Sequence, residues 1–167
     1  MEQLKKREKL SLRTEPLRME ALLGYRLLVT SLAQEVVVEG PLRQDEIQNR
    51  AYPLGDMAAW VKSWSTELEE DKVLVSGEVE GYVVHYSPNG PRKKAFEEES
   101  FFCPVSLPGA YPGCEASAHV RVVAIREQGQ PLYDGDKTIF SLVIYLEVLS
   151  WVTDSRLLEP VVEVDNI

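Results

Sequence analysis

Cysteine is scarce in this chain: Cys103 and Cys114 are the only two in 167 residues. They lack CxxC or CxxH company, which excludes a disulfide framework and the usual zinc sites. No long apolar run exists either. The longest candidate, residues 139–149, is broken by Ser141 and Glu147, so no membrane-spanning helix is expected. The basic first twenty residues are not followed by the apolar core of a secretory signal, so synthesis in the cytoplasm without a signal peptide is expected. Positive charge is in deficit, with 18 Lys and Arg against 27 Asp and Glu and a net charge of −9. Nucleic acid and anionic membrane surfaces would repel such a chain, and neither is expected as a partner. With 10 Gly and 10 Pro the sequence is neither collagen-like nor low in complexity, and its 44% apolar share is enough for one packed domain. The motifs GxSxG, HExxH, GxxxxGK[ST] and GxGxxG are all absent.

What charge there is falls unevenly. Residues 1–18 carry Lys5, Lys6, Arg7, Lys9, Arg13 and Arg18 against Glu2, Glu8 and Glu15, a net of +3 that leaves −12 for the remainder. Residues 1–19 therefore form a basic arm, either a solvated terminus or a segment that docks on the acidic body of a neighbouring copy.

Along the body, strand signals dominate. Residues 19–32 suit a short helix ended by Gly24 or a strand equally, and Gln34–Glu39 is a β-branched run closed by Gly40-Pro41. Met57, Trp60, Val61, Trp64 and Leu68 fall at helical spacing and would bury both tryptophans on one face. Trp60, Trp64, Thr66 and Leu68 also fit one face of a strand, so residues 56–68 stay open between helix and strand. Val73 to Val84 alternates with period two, a long strand broken by the turn Ser87-Pro-Asn-Gly-Pro91. The charged stretch from Arg92 to Glu99 is a solvated loop or an edge, and Ser100–Ser106 is strand again. After the breaker-rich Leu107–Gly113, Ala118–Ile125 and Thr138–Val152 are two more strands, joined by a hairpin connection over 128–136. The second is apolar on both faces, and the tail, 156–167, adds a short run at Val161–Val164. Strands separated by turns, without alternating helices, give an all-β fold: a mainly antiparallel sandwich or barrel with at most one or two short helices.

Chemistry-bearing residues are sparse. His85 and His119 lie in strands without ligating neighbours and read as sheet residues; Glu78 and Glu80 read as a solvated strand face, and Asp134-Gly-Asp136 as a turn lacking the spaced ligands of a calcium loop. No catalytic, cofactor-binding or metal-binding residue is assigned. Cys103 and Cys114 flank the 107–113 loop and are either half-buried thiols or a crosslink formed under oxidising conditions. The uncharged run Ile139–Leu146 lies between Asp136-Lys137 and Glu147. Such a strand is usually central in a sheet, but at an edge Ile139, Phe140, Leu142 and Ile144 would be where another subunit adds a strand.

Three segments in order resemble the SPOCS domain of endospore coat and spore-morphogenesis proteins of Firmicutes. They are Gln34-Glu-Val-Val-Val-Glu-Gly-Pro-Leu42, Asp71-Lys-Val-Leu-Val-Ser-Gly-Glu-Val-Glu-Gly-Tyr-Val-Val-His-Tyr86 and Phe101-Phe-Cys-Pro-Val-Ser-Leu-Pro-Gly-Ala-Tyr-Pro-Gly113. Ala118–Ile125 and Ile139–Val152 fit that family's last two strands, and the likeness favours a strand over residues 56–68. It places a SPOCS-like β domain over residues 20–155. The family pattern is departed from at Arg43–Tyr52, no LysM module follows, and the family has no catalytic residues to carry over. The resemblance implies a non-enzymatic structural protein of the spore coat or exosporium, or of a related surface layer or filament. Its partners would be copies of itself and other spore-coat proteins. The alternative is an adaptor that recruits a coat protein or a glycan through the sheet face carrying Trp60, Trp64 or Trp151.

Overall fold

The computed structural model describes residues 10–14, 17–39, 54–87, 89–158 and 161–166, and no helix occurs among them. The chain forms β1 (Leu10–Thr14), β2 (Leu17–Glu39), β3 (Met57–Glu69), β4 (Lys72–Ser87), β5 (Gly90–Ser106), β6 (Glu115–Glu127), β7 (Leu132–Asp134), β8 (Lys137–Leu158) and β9 (Val161–Asn166). All ladders are antiparallel. One sheet runs β2-β8-β6 with β7 beside β8, a second runs β3-β4-β5, and β1 pairs with β9 as a separate ribbon. The ladders do not close into a barrel; the expected all-β architecture takes its sandwich form.

The sandwich follows from period-two burial. In β4 Val73, Val75, Val79 and Val83 are buried, and they face Val36 and Val38 of β2, Val120 of β6, and Phe140, Leu142, Ile144, Leu146 and Val148 of β8 across the interior. Phe96, Phe101, Cys103 and Val105 complete the inner face of β5. Each such aliphatic side chain contributes about 1.5–3 kcal/mol on burial, and the inner face of β8 supplies the largest block of them.

Three segments resolve readings that the sequence left open. Residues 19–25, helix or strand by pattern, belong to β2, which pairs with β8 along its whole length from Leu17↔Leu158 to Glu39↔Lys137. Residues 57–68 are strand β3. The charged stretch 92–99 is the first half of β5, an edge strand rather than a loop.

The arm needs revision as well. Leu10–Thr14 is β1, whose Arg13 stands opposite Glu163 of β9, so this part of the arm is in register with the chain's own tail. Lys5, Lys6, Arg7 and Lys9 lie outside the described residues, as does Arg43–Tyr52. Ile139, Phe140, Leu142 and Ile144 offer no edge. They belong to β8, the central strand, held by β2 on one side and by β7 and β6 on the other, and Phe140, Leu142 and Ile144 are fully buried. Addition of a strand there is blocked because the backbone groups it would need are already paired.

Candidate interaction surface

A two-layer sandwich normally turns polar residues outward from each sheet. The β2-β8-β6 sheet departs from this. On its outer face Ile139, Val143, Tyr145, Leu149 and Trp151 of β8 are only half-buried, and β2 adds Tyr25 at 70% exposure, Val29 at 64% and Leu27 at 53%. Register makes these one surface: Tyr25 stands opposite Trp151, Leu27 opposite Leu149, Ala33 opposite Val143 and Val37 opposite Ile139. The same face carries the Arg121–Glu147 ion pair, closed at 2.7 Å, and toward its far end Glu35, Arg126 and the Lys137–Glu39 pair. A strand that is apolar on both faces calls for a layer on both sides, and among the described residues only the inner one is supplied.

The two flanks of the sandwich differ. Where β3 meets β6, side chains close the gap: Trp64 Nε1 donates to the Ala118 carbonyl at 2.9 Å, Thr66 Oγ1 donates to the Ala116 carbonyl at 3.2 Å, and the Trp64 ring meets His119 edge-on. Where β2 meets β5, a contact at one end comes from Arg26 Nη1, which donates to the Ser106 carbonyl at 3.4 Å. Further along, an open groove lies between Gln34–Val37 of β2 and Lys94–Phe96 of β5, and a second hollow is lined by Val37, Val38, Glu39, His85, Arg92 and Lys94. Gln34 Oε1 and His85 Nδ1, both buried, have no hydrogen-bond partner. Both orphaned atoms belong to residues lining this open flank.

Titratable groups elsewhere have structural explanations. Burial, then Arg92 and Lys94, push His85 below its usual range. Burial raises the Cys103 thiol. Tyr111 is pushed up to about 12, first by its hydrogen bond with Cys114 and then by that with Asp154, whose Oδ1 accepts from the phenol at 3.1 Å. Both cysteines are free thiols, Cys103 buried and Cys114 partly so. Glu80 accepts from Trp60 Nε1 at 2.8 Å, and Asp134-Gly-Asp136 sits in the β7–β8 hairpin with Gly135 at φ 62°. Among the described residues no three His, Cys, Asp or Glu side chains gather as a metal site, and no helix is long and apolar enough to cross a membrane.

Sequence reasoning found the doubly apolar strand but missed the surface it helps to build. The missing signal was the pairing of β8 with residues 25–37, which sets Tyr25, Leu27 and Val29 on the same outer face. Trp60 and Trp64 are not on one face either. Trp60 lies opposite Glu80, outward and beside Tyr82, whereas Trp64 lies opposite Gly77, toward the other sheet. In comparisons with known proteins the chain matches no family model, no curated protein and no solved structure, so the SPOCS resemblance rests on its own residues.

Proposed function

We propose that this is a non-enzymatic structural protein that assembles with copies of itself, in the endospore coat or exosporium or a related surface layer. The observation that carries the self-assembly reading is the uncovered apolar outer face of the β2-β8-β6 sheet. Leaving Tyr25, Leu27 and Val29 in water forfeits roughly 25 cal/mol for every Å² of apolar surface that a neighbour would cover. The spore setting is supported by the SPOCS-like segments alone. Assembly through the Ile139–Leu146 edge is withdrawn, and the contact moves to the sheet face.

Electron microscopy of the full chain at neutral pH tests this. Ordered filaments, tubes or sheets are expected from the wild type. The outward-facing variant L27K/V29K should lose them while keeping its β-sheet circular dichroism. Small particles only, from the wild type, would overturn self-assembly in favour of the adaptor, whose partner would meet the exposed Trp60 beside Tyr82.

A further inference from the structure

The edge strand β5 carries an unusual order of charge, Arg92-Lys-Lys-Ala-Phe-Glu-Glu-Glu99. Edge strands are commonly guarded by lysines, because a row of one sign repels a second strand. Here three cations are followed by three carboxylates, so the guard fails against an antiparallel copy of the same strand, whose carboxylates lie where this strand's cations point. The pleat agrees with that pairing. Lys94 stands opposite Val83 and Glu99 opposite Val79, which puts both on the inner face of the sheet. Lys93 lies over the Tyr82 ring and Glu98 pairs with Lys62, both on the outer face.

We infer that the open β2/β5 flank is the contact with a second copy of this chain, joined by antiparallel β5–β5 pairing about a two-fold axis near Phe96. Lys94 then stands opposite Glu99 of the second copy, with Lys93 the diagonal neighbour of its Glu98 on the outer face, twice each by symmetry. Trp64 and Thr66 bridge the β3/β6 flank, whereas among the described residues the β2/β5 flank keeps a groove at Gln34–Val37 and Lys94–Phe96. The buried, unpartnered Gln34 Oε1 and His85 Nδ1 are independent marks of that side, polar atoms that a neighbouring chain would satisfy. Pro91 and Pro104, which lack an N–H, lie toward the two ends of β5 and leave the strand between them free to pair. The inference rests on the self-assembly reading and supplies its first contact.

Light scattering on size-exclusion eluates, with the full chain at about 0.1 M salt, tests it. The wild type should show the dimer as its smallest species, at twice the chain mass, beside any larger assemblies. K93E/K94E, which makes the edge acidic, and E98K/E99K, which makes it basic, should each weaken self-association at least about tenfold and run as monomers. An equimolar mixture of the two should recover the dimer mass, since residues 92–99 of one edge now carry a net −4 and those of the other a net +4. Monomeric wild type, variants that keep the wild-type mass, or a mixture that stays monomeric despite unchanged circular dichroism would each overturn the β5 contact. A wild-type dimer that forms no polymer would remove the layer-forming reading and leave the contact standing. Polymers unaffected by these variants would remove the contact alone.

Discussion

Asp71 shows how much a single residue organises. It adopts φ 60°, and three hydrogen bonds tie the 107–113 loop to it: its Oδ1 accepts from Gly109 N at 2.8 Å, its N donates to the Ala110 carbonyl at 2.9 Å, and its carbonyl accepts from Leu107 N at 2.8 Å. The breaker density of that loop was legible in the sequence; its anchor was not, because Asp71 is distant in the chain and looks like any turn residue. The same loop brings Tyr111 to Cys114 and Asp154. Those bonds favour the protonated phenol, so the folded state holds the Tyr111 proton up to about 12, while the unfolded chain releases it near the ordinary tyrosine value of 10.0. The contribution of this group to stability is therefore complete below pH 10 and is lost as pH rises toward 12. In an absorbance titration at alkaline pH, one of the seven tyrosines should ionise late, and Cys114→Ala should bring that phase down toward the others. A wild-type titration with no late phase would count against the Tyr111 geometry.

At the scale of elements, the segments that resisted reading coincide with β-bulges. Register slips between Leu22 and Gly24 in β2, between Val61 and Ser63 in β3, and opposite Val79–Gly81 in β5. Each extra residue breaks the period of two that identifies a strand. For that reason Met19–Tyr25 and Met57–Leu68 fitted helix and strand alike, and Arg92–Glu99 was as good a loop as an edge. By contrast, β4 and the body of β8 were plain because alternation or continuous apolar character runs through them, and β6 was legible despite a slip of its own between Val122 and Ala124. The glycines of β4 have a packing role that alternation hides. A Cβ on Gly81 would lie 2.2 Å from the Ala58 carbonyl oxygen and 2.3 Å from the Phe96 ring, and one on Gly77 would lie 2.2 Å from the Ser63 carbonyl oxygen. These sites accept the rings of Phe96 and Phe101 against bare backbone. Gly81→Ala should therefore destabilise the fold by about 2–3 kcal/mol, the upper end of overpacking costs. It should appear as a lowered urea midpoint, whereas Gly135→Ala, with nothing within 4 Å of its Cβ, should cost only its φ strain. Equal midpoints for Gly81→Ala and the wild type would show that β4 has room there.

At the scale of the molecule, the two proposed contacts differ in physical kind, and that difference makes them separable. A contact in which the same strand pairs with itself about a two-fold closes on itself and yields a dimer, so continued growth needs a second, independent surface. The apolar outer face of β2 and β8 is that surface, pointing away from the interior while the β5 edge points sideways. The overall charge was legible in the sequence, as were the acidic body and the doubly apolar β8. Which edge stays open was not, since it depends on Trp64 and Thr66 reaching β6 across a sandwich that composition cannot foresee. Salt should act on the contacts oppositely. Exposed Lys–Glu pairs are screened as the Debye length falls from about 10 Å at 0.1 M to about 3 Å at 1 M salt. Apolar burial is not weakened this way, and sulfate strengthens it. L27K/V29K, with its outer face charged and its β5 edge intact, should therefore stop at the dimer at about 0.1 M sodium chloride and fall to monomer at about 1 M. K93E/K94E, with the outer face intact, should associate more strongly in about 0.5 M sodium sulfate than at low salt. Mass photometry on the two variants reads both trends. A dimer of L27K/V29K that survives 1 M salt would show that Lys–Glu pairing does not hold the two-fold contact, and polymers that form from it at all would show that the growing contact is not the outer sheet face.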